Sequence, residues 1–398
     1  MYRKTYVEID TNILKENVDK IIRHYKGYKC YMGIVKGDAY GHSDLICEHI
    51  IESGINYLGV SSLEEALRIR KRIKSIPILS LEPVDISSLG EVIKNNITIT
   101  VHDVNYFEEI LSSKLDGLLK FHLKIDSGLN RLGLKEKKDI EYIVDAANKN
   151  THMLLEGIYT HMATSGMYDF HYDKQMSCFK ELIKDVDLTK IPYIHGPRSL
   201  TLMSHEKESV FNTARIGIMM YGYNNLPTIP NTLKGRLRKF KINMMKKRLN
   251  VSETITKVPF ELKSAYSLYS EIITVKKVKK GEYIGYGALY QAKKDMIIGI
   301  MPIGYADGLN KKCVGLNVLI NNKPYKIIGN IYMDMTTIEI DENVKTHDKV
   351  TIIGDTMNAK KMSSYFGGTV YDVLVGISSR VPRVIIKNGE IVNIKEMK

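Results

Sequence analysis

No apolar run in this 398-residue chain approaches the ~20 residues needed to cross a bilayer. The opening segment, MYRKTYVEIDTN, is polar and reads as a strand, without the apolar stretch of a secretory signal, so a cytoplasmic location is expected. Cysteine is scarce. Cys30, Cys47, Cys178 and Cys313 are scattered, with no C-x-x-C pair and no Cys/His set at metal spacing, which predicts reduced thiols and no metal site. Arginine is scarce as well, 13 residues against 45 lysines. An arginine at a chemically suggestive position therefore carries more weight here than one of the 25 tyrosines. What is present is ordinary globular usage. With 44% apolar and 26% charged residues, a disordered, collagen-like or coiled-coil chain is excluded. The net charge of +13 raises the question of a nucleic-acid or membrane partner. The lysines are spread along most of the chain, so a lysine-rich composition accounts for the charge, and neither partner is expected.

The length suits two or three domains, or one large barrel with a smaller companion. In the first half, short apolar runs recur at 30–36, 57–60, 76–81, 97–101, 119–126, 155–161, 191–197 and 215–221. Polar segments with helical spacing, such as 62–73 and 137–148, lie between them. The runs are apolar throughout rather than alternating, which is the pattern of parallel strands covered on both faces. Eight such units predict an α/β fold, a (β/α)8 TIM-type barrel. A doubly wound open sheet is the alternative, but no G-x-G-x-x-G follows the first strand.

The pattern changes after Tyr223. Lys234, Arg236, Arg238, Lys239, Lys241, Lys246, Lys247 and Arg248 follow one another with no acid among them. The stretch reads as a solvated helical insertion, with a nucleic-acid or anionic-lipid patch as the alternative. From Phe260 onward the sequence reads as all-β, with strands at 271–278, 296–301, 318–320, 325–333, 336–340, 349–353 and 384–387. Turns fall at Asp307-Gly308 and Asn388-Gly389. The expected division is a strand within 1–10 that joins the C-terminal domain, a barrel over 11–228, a basic insertion or linker over 229–257, and a mostly β domain over 258–398.

Functional groups of such barrels sit at the C-terminal ends of the strands. The first strand ends in Lys36, followed by GDAYGH. A lysine closing an apolar strand is desolvated, which makes its amine nucleophilic and able to form a Schiff base. The fifth ends Lys124-Ile125-Asp126 and leads to Arg131, whose fork matches a carboxylate. The sixth ends in His161, the seventh at His195-Gly196-Pro197-Arg198-Ser199, and the eighth carries Arg215-Ile216-Gly217-Ile218. Small residues and free amides after strands seven and eight are where barrels bind phosphate. The β domain contributes Gly285-Tyr286-Gly287, Gly304-Tyr305 and Tyr332-Met333-Asp334, where glycines allow close approach to a ligand.

Taken together, these residues resemble the alanine racemase family, which is pyridoxal-phosphate dependent and built from a barrel and a β domain. The similarity runs nearly end to end, apart from a basic insertion near 229–256. VKGDAYGH at 35–42 resembles the family's lysine motif and implies Lys36 as the cofactor-bearing lysine, with Tyr40 at the cofactor. HLKIDSGLNRLG at 122–133 implies Lys124 as a carbamylated lysine that orients Arg131, and Arg131 as a contact to cofactor and substrate carboxylate. THMATS at 160–165 places His161. ARIGIMMYG at 214–222 places Arg215 against the pyridine nitrogen, with Gly217, Ile218 and Ser199 at the phosphate. IGYG at 284–287 implies Tyr286 as a second base, and YMD at 332–334 a substrate-binding turn around Met333. Tyr305 matches an inner-gate tyrosine.

The chain also departs from the family. The phosphate loop's Asn-Ser is Arg198-Ser199, and the tyrosine before RVPR, which crowds substrate and phosphate, is Ser379. An Arg-Asp-Arg set at the outer entrance falls on Lys311, Gly166 and Asn330, and a cysteine before Met-Asp is Tyr332.

The resemblance implies a homodimer in which Tyr286 and Met333 reach the partner's active site. It also implies interconversion of L- and D-alanine by a Lys36/Tyr286 two-base mechanism with pyridoxal 5′-phosphate, supplying D-alanine for peptidoglycan. Two bases are wanted because the proton leaves one face of the α-carbon and returns to the other. His161, backed by Arg215, would favour the Tyr286 phenolate. Arg215, with an ordinary pKa above about 12, would donate a hydrogen bond but no proton to the ring nitrogen. Serine or broad-spectrum racemisation, through the space left at Ser379, is the alternative. Amino-acid decarboxylation and a non-enzymatic cofactor carrier are more distant ones.

Overall fold

The computed structural model describes all residues except Met1, 165–168, 225–232, 249–257, Pro259, Thr356 and 397–398. Gly166 and the flanks of the basic stretch therefore lie outside the described residues.

Strand β1 (Tyr6–Asp10) leads into a helix, Thr11–His24, at Asp10. The Asp10 carboxylate accepts from the amides of Asn12 (2.8 Å) and Ile13 (3.3 Å), and Arg23 and His24 stand in the last turn. Both ends thus complement the orphan groups and dipole of the helix. Eight strands follow: β2 (Cys30–Ile34), β3 (Tyr57–Val60), β4 (Ile78–Ser80), β5 (Ile97–Val101), β6 (Leu119–Lys124), β7 (Met153–Tyr159), β8 (Tyr193–His195) and β9 (Thr213–Ile216). Each pairs in parallel with the next, and β9 closes on β2 through Cys30–Thr213 and Met32–Arg215. Every residue of β2, β3, β4, β5 and β9 is buried, as strands between a filled interior and a helical jacket must be. The last barrel strand lies earlier than the apolar run at 215–221 suggests. Arg215 is inside β9, and the residues after Ile216 turn away.

The C-terminal part forms β10 (Tyr266–Glu271), β11 (Thr274–Val278), the small pair β12 (Tyr283–Ile284) and β13 (Tyr290–Gln291), β14 (Met296–Met301), β15 (Asn317–Ile320), β16 (Lys323–Ile331), β17 (Thr336–Ile340), β18 (Lys349–Ile353), β19 (Arg383–Lys387) and β20 (Glu390–Lys395). Ten of the strands make one sheet, ordered β11-β14-β17-β16-β15-β18-β10-β1-β19-β20. β1 sits between β10, antiparallel, and β19, parallel, so the first strand of the chain is integral to this sheet.

The all-β reading of this half needs correction. Helices Ala359–Phe366 and Val370–Gly376 interrupt the strands. The second is opened by a reciprocal cap in which Thr369 and Asp372 bond each other's backbone, and it leans on the turn after β2. In the basic stretch, Leu233–Arg248 is helical and carries Leu233, Leu237, Phe240 and Met244 exposed. Among the described residues, no helix is long and apolar enough to cross a membrane.

Candidate active site

Lys36 follows β2 at the start of an unusual turn. Gly37, Asp38, Ala39 and Tyr40 have φ of 62°, 52°, 55° and 54°, a left-handed turn that costs L-residues about 1 kcal/mol each. The surroundings hold it there. The Asp38 amide donates to Glu65 (3.1 Å), and the Asp38 carboxylate takes Arg68 (3.3 Å) and Lys395 (2.7 Å). Gly41, which ends the turn, lies so close to Leu374 that a Cβ would meet its carbonyl oxygen at 2.1 Å. The turn brings Lys36 and Tyr40 to one cavity of about 650 Å³ at the C-terminal mouth of the barrel.

The cavity is strongly cationic. Lys36, Lys124, Arg131, Arg198 and Arg215 line it, against one lining carboxylate, Glu82. Burial, then Arg131, lowers the Lys36 pKa. Lys124 is 5% exposed, with its ammonium 4.4 Å from the Tyr159 ring centroid. Burial, then Arg215 and Arg131, brings it down to about 7. Asp126, just past the end of the same strand, is a loop fastener. Its carboxylate accepts from the amides of Gly128 (3.0 Å) and Asn130 (2.9 Å), shaping the loop that presents Arg131.

Arg215 is 4% exposed. Its Nη2 donates to the carbonyls of Gly196 (2.6 Å) and Thr160 (2.9 Å) and to His161 Nδ1 (3.2 Å). Nη1 has no partner among the described residues. Burial lowers its pKa to about 10, below the range expected of arginine, yet it stays charged at neutral pH. An arginine only donates, so His161 Nδ1 accepts and the neutral ring carries its proton on Nε2. Burial, then Arg215, holds the His161 pKa well below its ordinary value. Gln175, which sequence reasoning missed, braces this segment. It accepts from the Ala163 amide (2.8 Å) and donates to the His161 carbonyl (3.4 Å).

Beneath the cavity, His122 and His195 hydrogen-bond across the barrel (2.9 Å). His195 stacks on Tyr159, and Glu156 accepts from Thr98 (2.8 Å) and Tyr57 (2.9 Å). This hydrogen-bonded interior, in which only His195 Nδ1 among the groups named has no partner among the described residues, forms the floor on which Arg215 rests.

At the cavity's other end, Ser199 Oγ accepts from the Gly217 amide (3.0 Å), and a Cβ at Gly217 would stand 3.1 Å from the Tyr40 hydroxyl oxygen. Tyr40, Ser199, Gly217 and Ile218 therefore converge as expected. Ser379 is not brought to this lining; it lies in an exposed turn. Tyr371, on the unpredicted helix Val370–Gly376, lines the cavity beside Tyr40, with ring centroids 5.6 Å apart. The signal that could have found it is the Thr369-x-x-Asp372 cap just before it.

Tyr286, Tyr305 and Met333 are brought together elsewhere, around a second cavity of about 410 Å³ on the β domain, with Lys311, Asn330 and Tyr332. Gly304 allows this, since a Cβ there would meet the Met333 and Tyr332 carbonyl oxygens at 2.3 Å. The Tyr305 amide donates to Tyr332 (2.9 Å), and the Ala306 amide to Met333 (3.0 Å). Asn330 donates to the Tyr286 carbonyl (2.6 Å), and the Lys311 ammonium sits over the Tyr305 ring. Tyr286 is 77% exposed. The two cavities share no lining residue, so within one chain the second-base candidate and Lys36 do not meet.

A parallel barrel with a lysine at its cationic mouth, joined to a β domain that offers an exposed tyrosine, is the layout of a two-domain enzyme. Residues 9–225 match the family described as alanine racemase, N-terminal domain, and 265–385 match alanine racemase, C-terminal domain. Alanine racemase 1 of Bacillus subtilis is 33% identical over 400 residues, covering 99% of this chain and 96% of that protein. An alanine racemase of Halalkalibacterium halodurans is 33% identical over 99% of this chain and 98% of its own. Among solved structures, alanine racemase from Bacillus anthracis with bound L-Ala-P superposes with a TM-score of 0.85 at 30% identity, covering 99% and 98% of the two chains. The chain belongs to the alanine racemase family, whose members are isomerases. Matches that run through both domains set aside the cofactor-carrier and decarboxylase readings.

Proposed function

We propose that this enzyme interconverts L- and D-alanine with pyridoxal 5′-phosphate, in the cytoplasm, as a homodimer that supplies D-alanine for peptidoglycan. The observation that carries the reading is the cationic cavity at the barrel mouth, where Lys36 stands between Arg131 and Arg215. The cavity residues suit the cofactor. Tyr40, Ser199, Gly217 and Ile218 offer hydroxyls and amides for a phosphate. Arg215 keeps Nη1 for a ring nitrogen, and Lys36 has the lowered pKa that makes an amine available. Bound there, pyridoxal phosphate supplies an electron-withdrawing ring that acidifies the α-proton of an amino acid.

The side chains supply placement and proton traffic. Arg131 holds the substrate carboxylate. Lys36 Nζ, released from its resting role, moves the α-proton on one face of the carbon. Tyr286 of the partner subunit moves it on the other. The His161 Nε2–H, fixed by Arg215 on the far side of the ring, faces the incoming phenol and favours its ionised form. Arg215, still charged with a pKa about 10, donates without surrendering a proton. An exposed apolar group supports the shared site: Tyr286, Leu289 and Met333 stand out from the β domain.

Lys124 is proposed to be carbamylated. A neutral lysine amine adds carbon dioxide, forms an N–C bond and releases one proton. The product replaces a cation wedged between Arg215 and Arg131 with an anion. A chiral assay of purified protein with cofactor against a panel of L-amino acids tests the function. D-alanine formation is expected, and Lys36→Ala should lose both turnover and the visible absorption of bound cofactor. Absence of racemisation of any amino acid would overturn the reading.

A further inference from the structure

We propose that Arg198 is a charged ligand for the cofactor's phosphate, converting a site of neutral donors into one held by a guanidinium. The inference rests on the cofactor reading above. Arg198 lines the barrel-mouth cavity immediately before Ser199, on the side where the Tyr40 and Ser199 hydroxyls and the Gly217 amide converge. Its Nε is buried, with no hydrogen-bond partner among the described residues. No carboxylate among the described residues pairs with its side chain. Glu82, the lone lining acid, accepts from Ser61 instead. The Tyr371 and Tyr40 hydroxyls are the groups that favour its charge, which in turn acts on His161 and Arg215.

A half-buried guanidinium with its Nε fully enclosed and no anion beside it is costly, and arginine cannot escape the cost by losing its proton at neutral pH. Such a residue implies an anionic ligand. Two anionic groups are expected in this cavity, a carboxylate and a phosphate. The carboxylate has Arg131. Arg198 stands instead among hydroxyls and an amide, a donor set that suits the several acceptor oxygens and double charge of a phosphate better than a carboxylate. Tyr371 completes the set, in the absence of a tyrosine at position 379. The chain should therefore discriminate strongly between phosphorylated and unphosphorylated forms of its cofactor.

The test uses full-length protein stripped of cofactor. It is titrated with pyridoxal 5′-phosphate and, separately, with pyridoxal, and the visible absorption of the Lys36 adduct gives a Kd for each. Arg198→Gln should weaken the phosphorylated ligand at least tenfold and leave pyridoxal within twofold, with Arg198→Lys intermediate. Inorganic phosphate should raise the melting temperature of the stripped wild type and compete with pyridoxal phosphate. Equal losses for both ligands in Arg198→Gln, or unchanged Kd values, would overturn the role of Arg198, as would a wild type indifferent to phosphate. A wild type that takes up neither ligand would overturn the cofactor reading itself.

Discussion

The ammonium of Lys395, in the last strand of the sheet, lies 2.7 Å from the carboxylate of Asp38, two residues beyond Lys36. It also lies 2.7 Å from Asp44, which Arg68 and Arg72 approach at 3.0 and 3.2 Å. The last strand of the sheet thus clasps the left-handed turn on which the Lys36 amine is mounted, and the stability of the β domain is coupled to the geometry of the barrel site.

That clasp sets a pH dependence. Burial opposes ionisation of Asp44, but Lys395, Arg72 and Arg68 outweigh it and bring its pKa down to about 2. A depressed carboxylate contributes stability that is present above its unfolded pKa and lost as pH falls through the folded one. The contribution, about 2 kcal/mol, should therefore be intact above about pH 4 and fade towards pH 2. In urea unfolding, Asp44→Asn should be less stable than wild type by about that amount at pH 6, with the gap closing on acidification. A gap unchanged down to pH 2.5 would refute the clasp.

The Arg215–His161 bond predicts a fixed tautomer. The ring should stay neutral, with its proton on Nε2, from pH 5 to 9, as read by nitrogen NMR of labelled histidine. Arg215→Gln should release this restraint and lower kcat by about 10²-fold or more. A His161 that titrates within that window would contradict the arrangement.

Lys124, with a pKa near 7, should react with carbon dioxide at neutral pH. Labelled bicarbonate should give a carbamate carbon signal that Lys124→Ala lacks, and depleting carbon dioxide should lower activity reversibly. No signal in active enzyme would exclude carbamylation.

Alanine should be preferred over serine. Ser379 lies in an exposed turn outside the lining of the barrel-mouth cavity, so the serine there should not by itself widen the substrate range. Comparing kcat/KM for the two amino acids in wild type and Ser379→Tyr checks this, and a substitution that changes their ratio would contradict it.

The barrel was legible in the sequence because strands buried on both faces leave unbroken apolar runs, and β3 and β5 fall on the runs at 57–60 and 97–101. The end of β9 was not, since Ile218 to Tyr221 are buried turn residues that look like strand. Helix Val370–Gly376 is seven residues long, too short for its periodicity to compete with the surrounding β pattern, and Tyr371 was lost with it. The cavity's lysines and arginines were readable one by one at the strand ends. Their mutual repulsion was not, because the unpaired state of Arg198 and the weakened basicity of Lys124 arise only when strands distant in sequence close into a ring.

The central claim is that Lys36 and Tyr286 of different chains serve one α-carbon. Lys36→Ala and Tyr286→Phe proteins, each inactive, can be mixed, dissociated and reassociated. If sites are shared, each hybrid dimer contains one site with both wild-type groups, and activity should return to about a quarter of the wild-type value after random pairing. If the two groups belong to the same chain, no hybrid has an intact site, and a mixture that stays inactive while forming hybrid dimers would contradict the account.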